Sequence, residues 1–165
     1  RFNLKGSVVS AVDLINGIGK MIGWDVLKVP GITGTIETNY EGKVKAALDS
    51  LNTKDITVIH TEASDEAGHQ GNLKLKITAL EYFDQKVVDP VRKYCEKNRD
   101  TRILVTTDHN GSVKTRTHAN GPVPFLIYGN GILPSGSTRY TESAARASNS
   151  QVKEGHQLIE MLLGG

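Results

Sequence analysis

The chain has 165 residues, enough for one domain with a sizeable hydrophobic core. Its 20 basic and 18 acidic residues leave a net charge of only +2, and no basic run is interleaved with aromatic residues, so nucleic acid is not an expected partner. No apolar run reaches the roughly 20 residues of a membrane-spanning helix, and no signal peptide is recognisable. The single cysteine, Cys95, cannot form an internal disulfide, which favours a reducing cytoplasm.

Helices and strands are predicted to alternate along the first half of the chain. It opens on Arg1 rather than Met and enters an apolar segment by Val8, so we interpret it as a piece of a longer protein. The predicted elements of this half are a helix over 13–22, a strand over 24–29, a helix over 40–51 and a strand over 56–59.

The second half begins with the longest predicted helix, 73–98, which Pro90 is expected to kink or divide. After it we predict strands over 102–105 and 123–128, and short helices over 142–147 and 154–163. Pro124 should lie at the start of its strand or on an edge. This alternation is typical of βαβ units, so we expect an α/β fold with a mostly parallel sheet and helices on both faces.

Two of the predicted strands end in clusters of Asp and His. Asp65 and His69 follow the strand over 56–59, and Asp108 and His109 follow the strand over 102–105, with His118 nine residues later. In open α/β sheets, ligands bind beyond the carboxyl ends of the strands. Carboxylate and imidazole together suit a divalent ion such as Mn²⁺ or Zn²⁺. The sequence therefore predicts a metal site at this edge of the sheet.

The count of ligands allows one complete site and part of another. Asp65 and His69 share a face if their segment is helical, and His118 would complete three ligands with an open position. In an extended backbone the adjacent Asp108 and His109 would diverge, so they could face different neighbours or both serve a second ion. Two ions roughly 3.5–4 Å apart form the clamp of many phosphoryl-transfer enzymes. The alternative is that Asp and His occur at this spacing by chance and bind no metal, with His109 capping a turn.

Other polar residues have weaker assignments. Arg116 lies two residues before His118 and could bind a phosphate oxygen, or it could be a surface arginine. Glu62 and Glu66 could orient metal ligands, although Glu66 could equally face solvent. His60 is expected to be a satisfied, half-buried histidine, and His156 to lie on the surface.

At these residues the chain resembles the archaeal-type, cofactor-independent phosphoglycerate mutases of the alkaline phosphatase superfamily. The matching stretches are 10–19, 31–40, 62–69, 107–109, 116–119 and 122–129. The resemblance implies an alkaline-phosphatase-like α/β domain of which residues 1–165 form the C-terminal half. It also implies that Asp65, His69 and His118 bind one metal ion and that Asp108 and His109 bind a second. Mn²⁺ is the expected ion, with Zn²⁺ and Mg²⁺ as alternatives.

The resemblance further implies a reaction, the interconversion of 3-phosphoglycerate and 2-phosphoglycerate through a phosphoserine. The nucleophilic serine and another metal-binding aspartate would lie upstream of this chain, which would then hold no catalytic nucleophile and be inactive alone. The expected partners are phosphoglycerate, the N-terminal half of the domain and a second copy through an exposed sheet edge. No membrane partner is expected.

Three departures from the family pattern leave the substrate open. They are Ser64 in place of a usual proline, Asn110-Gly111-Ser112 in place of Pro-Thr-Pro, and Asn16 in place of a common lysine. Two alternatives therefore stand beside the mutase. One is another two-metal phosphatase or phosphonate hydrolase of the same superfamily, and the other is a non-catalytic domain derived from it.

Overall fold

The computed structural model describes residues 2–148 and 150–164. Two compact units are recognisable: the first runs to Val91 and includes Gly111–Thr117, and the second comprises Arg92–Asn110 and the chain from His118 onward. Among the described helices, none combines the length and apolar character needed to cross a membrane.

A three-stranded parallel sheet lies at the centre of the first unit. Its strands are β1 (Gly6–Val9), β2 (Asp25–Val26) and β3 (Ile56–Ile59), in the order β2-β1-β3. All four residues of β1 are buried, as expected for the middle strand of a parallel sheet. The α/β fold with a parallel sheet is thus confirmed, although β2 is shorter than the strand predicted over 24–29.

Four helices of this unit are α1 (Asp13–Met21), α2 (Tyr40–Ser50), α3 (Ala63–His69) and α4 (Leu73–Phe83). Asparagine side chains cap two of them: Asn39 Oδ1 accepts from the Gly42 N–H at 2.8 Å in α2, and Asn72 Oδ1 accepts from Leu75 at 3.0 Å in α4. The main cluster of buried apolar side chains joins α2 to the segment after α4; it consists of Tyr40, Val44 and Val87, with Leu48, Ile59, Tyr82, Phe83 and Val91 around them.

The long predicted helix is divided into three parts. After α4 come a π-helical segment, Asp84–Val88, and α5 (Asp89–Lys97). Pro90 is the second residue of α5. Proline has no N–H to donate to the preceding turn, and its ring clashes with a carbonyl there, so a wider turn just before it relieves the conflict. The expected effect of Pro90 therefore takes the form of a change of helix type ahead of the proline.

The second unit is built on an antiparallel pair of strands. β4 (Arg102–Thr106) pairs with β7 (Phe125–Gly129), with Leu104 opposite Ile127. In the sequence, the paired short strands β5 (Asn110–Ser112) and β6 (Thr117–Ala119) lie between β4 and β7, and their segment Gly111–Thr117 belongs to the first unit. No helical crossover joins β4 to β7, and the two strands run antiparallel. β7 begins directly after Pro124, as expected.

Short helices end the described chain. They are α6 (Glu142–Ala147) and α7 (Leu158–Leu163), the latter preceded by a 3₁₀ turn over Gly155–Gln157. These lie where the sequence predicts helices over 142–147 and 154–163.

Candidate metal centre

The first unit supplies an Asp–His pair from helix α3, which follows β3. The segment is helical, so Asp65 and His69 lie four residues apart on one face. His69 Nε2 lies 3.1 Å from Asp65 Oδ2. The Asp65 side chain is 24% exposed and that of His69 40%, so the pair is reachable from solvent. The expectation that a helical turn would bring these two groups together is confirmed.

The other ring nitrogen of His69 determines its tautomer. His69 Nδ1 lies 3.0 Å from the backbone carbonyl oxygen of Arg116, and a carbonyl can only accept a hydrogen bond. Nδ1 must therefore carry the proton, and in the neutral ring Nε2 keeps its lone pair on the side of Asp65. A carbonyl bound to the distal nitrogen of a metal-ligating histidine is the usual arrangement, since it fixes the ring and raises its basicity.

A divalent ion fits between these two groups. Ligand atoms that each lie about 2.0–2.2 Å from one ion are separated by roughly 2.8–3.6 Å at bond angles of about 90–110°. The observed separation of 3.1 Å is within that range. Without a cation, a carboxylate oxygen would face an imidazole lone pair unless the ring were doubly protonated. The donor set and its spacing thus suit a metal ligand pair.

Arg116 reaches this position through an unusual backbone conformation. Its φ is +54°, in the left-handed region that non-glycine residues rarely adopt. The residue ends the turn between β5 and β6. Its guanidinium packs against Gly71, where an added Cβ would lie 2.6 Å from Arg116 Nε. The carbonyl contact with His69 is a role that the sequence did not indicate.

The second unit repeats the pattern with adjacent residues. His109 Nε2 lies 3.3 Å from Asp108 Oδ2, and His109 Nδ1 lies 3.3 Å from the carbonyl oxygen of Asn110. The chain bends at these residues, so the two side chains converge rather than diverge as they would in an extended segment. The other carboxylate oxygen of Asp108, Oδ1, accepts a hydrogen bond from the His109 N–H at 3.1 Å, which restrains the carboxylate.

His118, in β6, stacks on His109. Their ring centroids are 3.6 Å apart and the ring planes meet at 28°. His109 is half-buried, whereas His118 is exposed. Within this unit the structure therefore brings all three predicted ligands, Asp108, His109 and His118, into one cluster.

A network of buried and half-buried polar side chains precedes α3 in the first unit. The Ser10 hydroxyl accepts from the Val12 N–H at 2.9 Å and contacts His60 Nδ1 at 2.9 Å, while His60 Nε2 lies 3.3 Å from Glu62 Oε2. His60 is thus a satisfied, half-buried histidine, as predicted. The fully buried Lys43 donates from Nζ to the His60 carbonyl oxygen at 2.8 Å.

Lys43 is the residue that the sequence analysis missed. Burial lowers the pKa of its ammonium group, and the negative charge of Glu62 partly offsets that effect. Residue 43 follows Tyr40 by three residues and precedes Ala47 by four, but a lysine at such a position of an amphipathic helix is normally exposed, so the sequence did not indicate its burial. The two remaining sequence candidates, Glu66 and His156, are both exposed.

Comparison with known proteins places these observations in a family. The profile of the Metalloenzyme superfamily matches residues 1–156, and the chain belongs to that superfamily. Membership in this superfamily supports the binding of a divalent metal ion.

Individual relatives show which members of the superfamily the chain is similar to. The chain is 48% identical over 164 residues to a probable 2,3-bisphosphoglycerate-independent phosphoglycerate mutase from Geobacter sulfurreducens, covering 99% of this chain and 41% of that one. It is 44% identical over 165 residues to the enzyme of the same name from Methanothrix thermoacetophila, covering 99% and 42%. The chain thus spans about two fifths of the length of these curated relatives, as expected of part of a longer protein.

Two solved structures share the fold of this chain. A protein from Pyrococcus horikoshii superposes with a TM-score of 0.86 at 29% identity, covering 97% of this chain and 48% of that one. A cofactor-independent phosphoglycerate mutase from Thermoplasma acidophilum superposes with a TM-score of 0.73 at 22% identity, covering 97% and 36%, which shows a shared fold. The expected likeness to the archaeal-type mutases is confirmed.

Proposed function

We propose that this chain is the metal-binding portion of a phosphoglycerate mutase that interconverts 3-phosphoglycerate and 2-phosphoglycerate through a phosphoserine. The observation that carries the proposal is the identity to mutases of that name along nearly the whole chain. The geometry of the Asp–His pairs in the two units supports it, because each carries a carbonyl-held imidazole next to a carboxylate. The phosphorylated serine would come from outside this chain.

For the metal centre we propose the assignment that the family resemblance implies. Asp65, His69 and His118 would bind one ion, and Asp108 and His109 would bind a second with help from residues outside the chain. Mn²⁺ is the ion that we expect, with Zn²⁺ or Mg²⁺ as alternatives.

The proposed chemistry depends on charge neutralisation and on holding the phosphoryl group. Bound divalent ions would stabilise the charge that develops on the transferred phosphoryl oxygens. Asp65 and Asp108 would supply the negative charge that retains the ions, and the carbonyl oxygens of Arg116 and Asn110 would keep the two imidazoles in their ligating tautomer. The Arg116 guanidinium would bind a phosphate oxygen of the substrate. We also propose a cytoplasmic location and the N-terminal half of the domain as partner.

An activity assay of the full-length protein tests the reaction. With Mn²⁺ present, 3-phosphoglycerate should be converted to 2-phosphoglycerate, without net release of inorganic phosphate. Release of phosphate without isomerisation would instead favour a two-metal phosphatase of the superfamily. Metal binding without any turnover of phosphate or phosphonate esters would favour a non-catalytic domain.

Metal titration of the full-length protein tests the ligand assignment. We expect His69→Ala and His109→Ala each to weaken Mn²⁺ binding in calorimetry by at least about tenfold. His156→Ala is the matched control, because His156 is exposed in the 3₁₀ turn and has no assigned role. Mn²⁺ binding by the His69 and His109 variants that equals binding by the His156 control would contradict the assignment.

A further inference from the structure

Lys43 is a fully buried cation in the interior of the first unit. Its exposure is 0%, and it lies on the same face of α2 as the buried residues Tyr40, Val44 and Ala47. A buried ammonium group is costly unless hydrogen bonds and an opposite charge compensate it. The proposed chemistry does not use Lys43, so its position in the core requires an explanation.

The contacts of Lys43 converge on the segment between β3 and α3. Lys43 Nζ donates to the His60 carbonyl oxygen at 2.8 Å, one residue beyond the end of β3. Two residues later Glu62 provides the opposite charge, and its carboxylate also lies 3.3 Å from His60 Nε2. Through the Ser10 hydroxyl, which contacts His60 Nδ1, the same segment is attached to the end of β1.

Glu62 connects this segment to Asp65, one of the proposed metal ligands. It is the residue that precedes α3, and its backbone carbonyl accepts hydrogen bonds from the N–H groups of Asp65 at 2.8 Å and Glu66 at 3.1 Å. Its side chain makes no capping hydrogen bond to α3 and points back to His60 instead. The position of Glu62 therefore sets where the first turn of α3, and with it Asp65, lies.

We propose that Lys43 is a positioning residue for the metal centre, acting through the His60 carbonyl and Glu62 to fix the start of α3 and so the Asp65–His69 pair. The inference rests on the proposed metal binding by that pair. It adds a residue that lies in another helix and is not among the proposed ligands. The hydrogen bond from Lys43 to the His60 carbonyl is the restraint that takes the place of a helix-capping side chain at this end of α3.

The test compares three variants of the full-length protein: Lys43→Met, Glu62→Gln and the double variant. Mn²⁺ affinity is measured by calorimetry, thermal stability is measured without metal, and the visible absorption of bound Co²⁺ reports coordination geometry. Lys45→Met is the matched control, because Lys45 lies in the same helix with its side chain 77% exposed. We expect Mn²⁺ affinity to fall about 10- to 100-fold in Lys43→Met, with an altered Co²⁺ spectrum, and to stay unchanged in Lys45→Met.

The double variant separates positioning from mere stability. Removing both charges leaves no unpaired ion in the core, so the metal-free double variant should recover much of the thermal stability that either single variant loses. Its Mn²⁺ affinity should nevertheless stay low, because the donor to the His60 carbonyl is gone. Wild-type affinity and Co²⁺ spectrum in Lys43→Met or in the double variant would overturn the inference. A wild-type protein that binds no metal would instead refute the proposed function.

Discussion

At His69, one backbone carbonyl decides which ring nitrogen is available to a metal. The Arg116 carbonyl takes the Nδ1 proton, and this requires Arg116 to hold φ at +54°. Strained backbone of this kind costs of order 1–3 kcal/mol and tends to occur at functional sites. Arg116 thus serves His69 through its main chain, whatever its guanidinium contacts.

Two substitutions at Arg116 separate the main chain from the side chain. Arg116→Gly removes the guanidinium but adopts positive φ readily, so Mn²⁺ affinity should remain close to that of the wild type. Arg116→Val also removes the guanidinium, but a β-branched residue strongly resists positive φ, so the carbonyl should shift and Mn²⁺ affinity should fall by about tenfold or more. Calorimetric titration of both variants gives the answer. Equal affinities in the two variants would show that the carbonyl is not needed.

Sequence reasoning at the residue scale proposed ligand candidates but did not predict the groups that hold their side chains in place. Asp65, His69, Asp108, His109 and His118 were recognisable because residue type and position after a strand are both visible in the sequence. The convergence of Asp108 and His109 was not, since it depends on a local bend. Lys43 was hidden for a different reason: a lysine in an amphipathic helix is normally exposed, and only the fold shows that position 43 faces the core.

Among the elements, α1 offers a direct test of helix packing on the sheet. An added Cβ at Gly19 would lie 2.5 Å from Val8 Cγ1 of β1, whereas one at Gly17 would meet nothing within 4 Å. Gly19→Ala should therefore destabilise the protein by about 1–3 kcal/mol through overpacking. Gly17→Ala should stabilise it by about 0.5–1 kcal/mol, because alanine loses less conformational entropy in a helix. Urea unfolding measures both, and a shift of the same sign in the two variants would contradict this packing.

Helix α5 contains Cys95, the single cysteine of the sequence, at 4% exposure. Burial raises the pKa of its thiol, and the nearby charge of Glu96 adds to that effect, although a backbone hydrogen bond opposes it. A higher pKa means less thiolate at a given pH, and the thiolate is the reactive species. At about pH 8, reaction with iodoacetamide should be roughly tenfold or more slower in the native than in the guanidinium-unfolded protein. As the pH rises, the native rate should increase later than the unfolded rate. Equal rates would mean that α5 does not shield the thiol.

Most of the longer helices and strands were predictable, whereas β1, α3, β5 and β6 were not predicted and the pairing of strands was predictable only in part. Apolar periodicity marks β3, α2 and α4 because each buries one face or one run of residues. The direction of β7 relative to β4 depends on the connection between them, and that segment carries no periodicity that distinguishes a hairpin from a loop. The π-helical segment before Pro90 is likewise a local compromise between a proline and a continuous helix, which the sequence marks only as an irregularity.

On the scale of the whole molecule, the most telling surface feature is an apolar stripe on α1. Leu14, Ile18, Met21 and Ile22 follow helical spacing, and their exposures range from 48% to 88%. Single exposed apolar residues are ordinary, but a continuous stripe marks an interaction surface. The chain spans about two fifths of the length of its curated relatives. In the isolated 165-residue chain, a second copy is the occupant available to cover this stripe.

We therefore expect the isolated chain to self-associate through α1, with a sedimentation coefficient that rises with protein concentration. Met21→Gln should shift the equilibrium toward monomer, because it removes apolar surface from the stripe without changing the charge. Leu133→Gln is the matched control: Leu133 is also 88% exposed but lies in a loop of the second unit, away from any such stripe in the described chain. Sedimentation velocity should show weaker association only for Met21→Gln. A monomer at every concentration, or equal effects of the two variants, would assign the stripe no role in pairing and would leave the outer strands β2 and β3 as the surfaces to test.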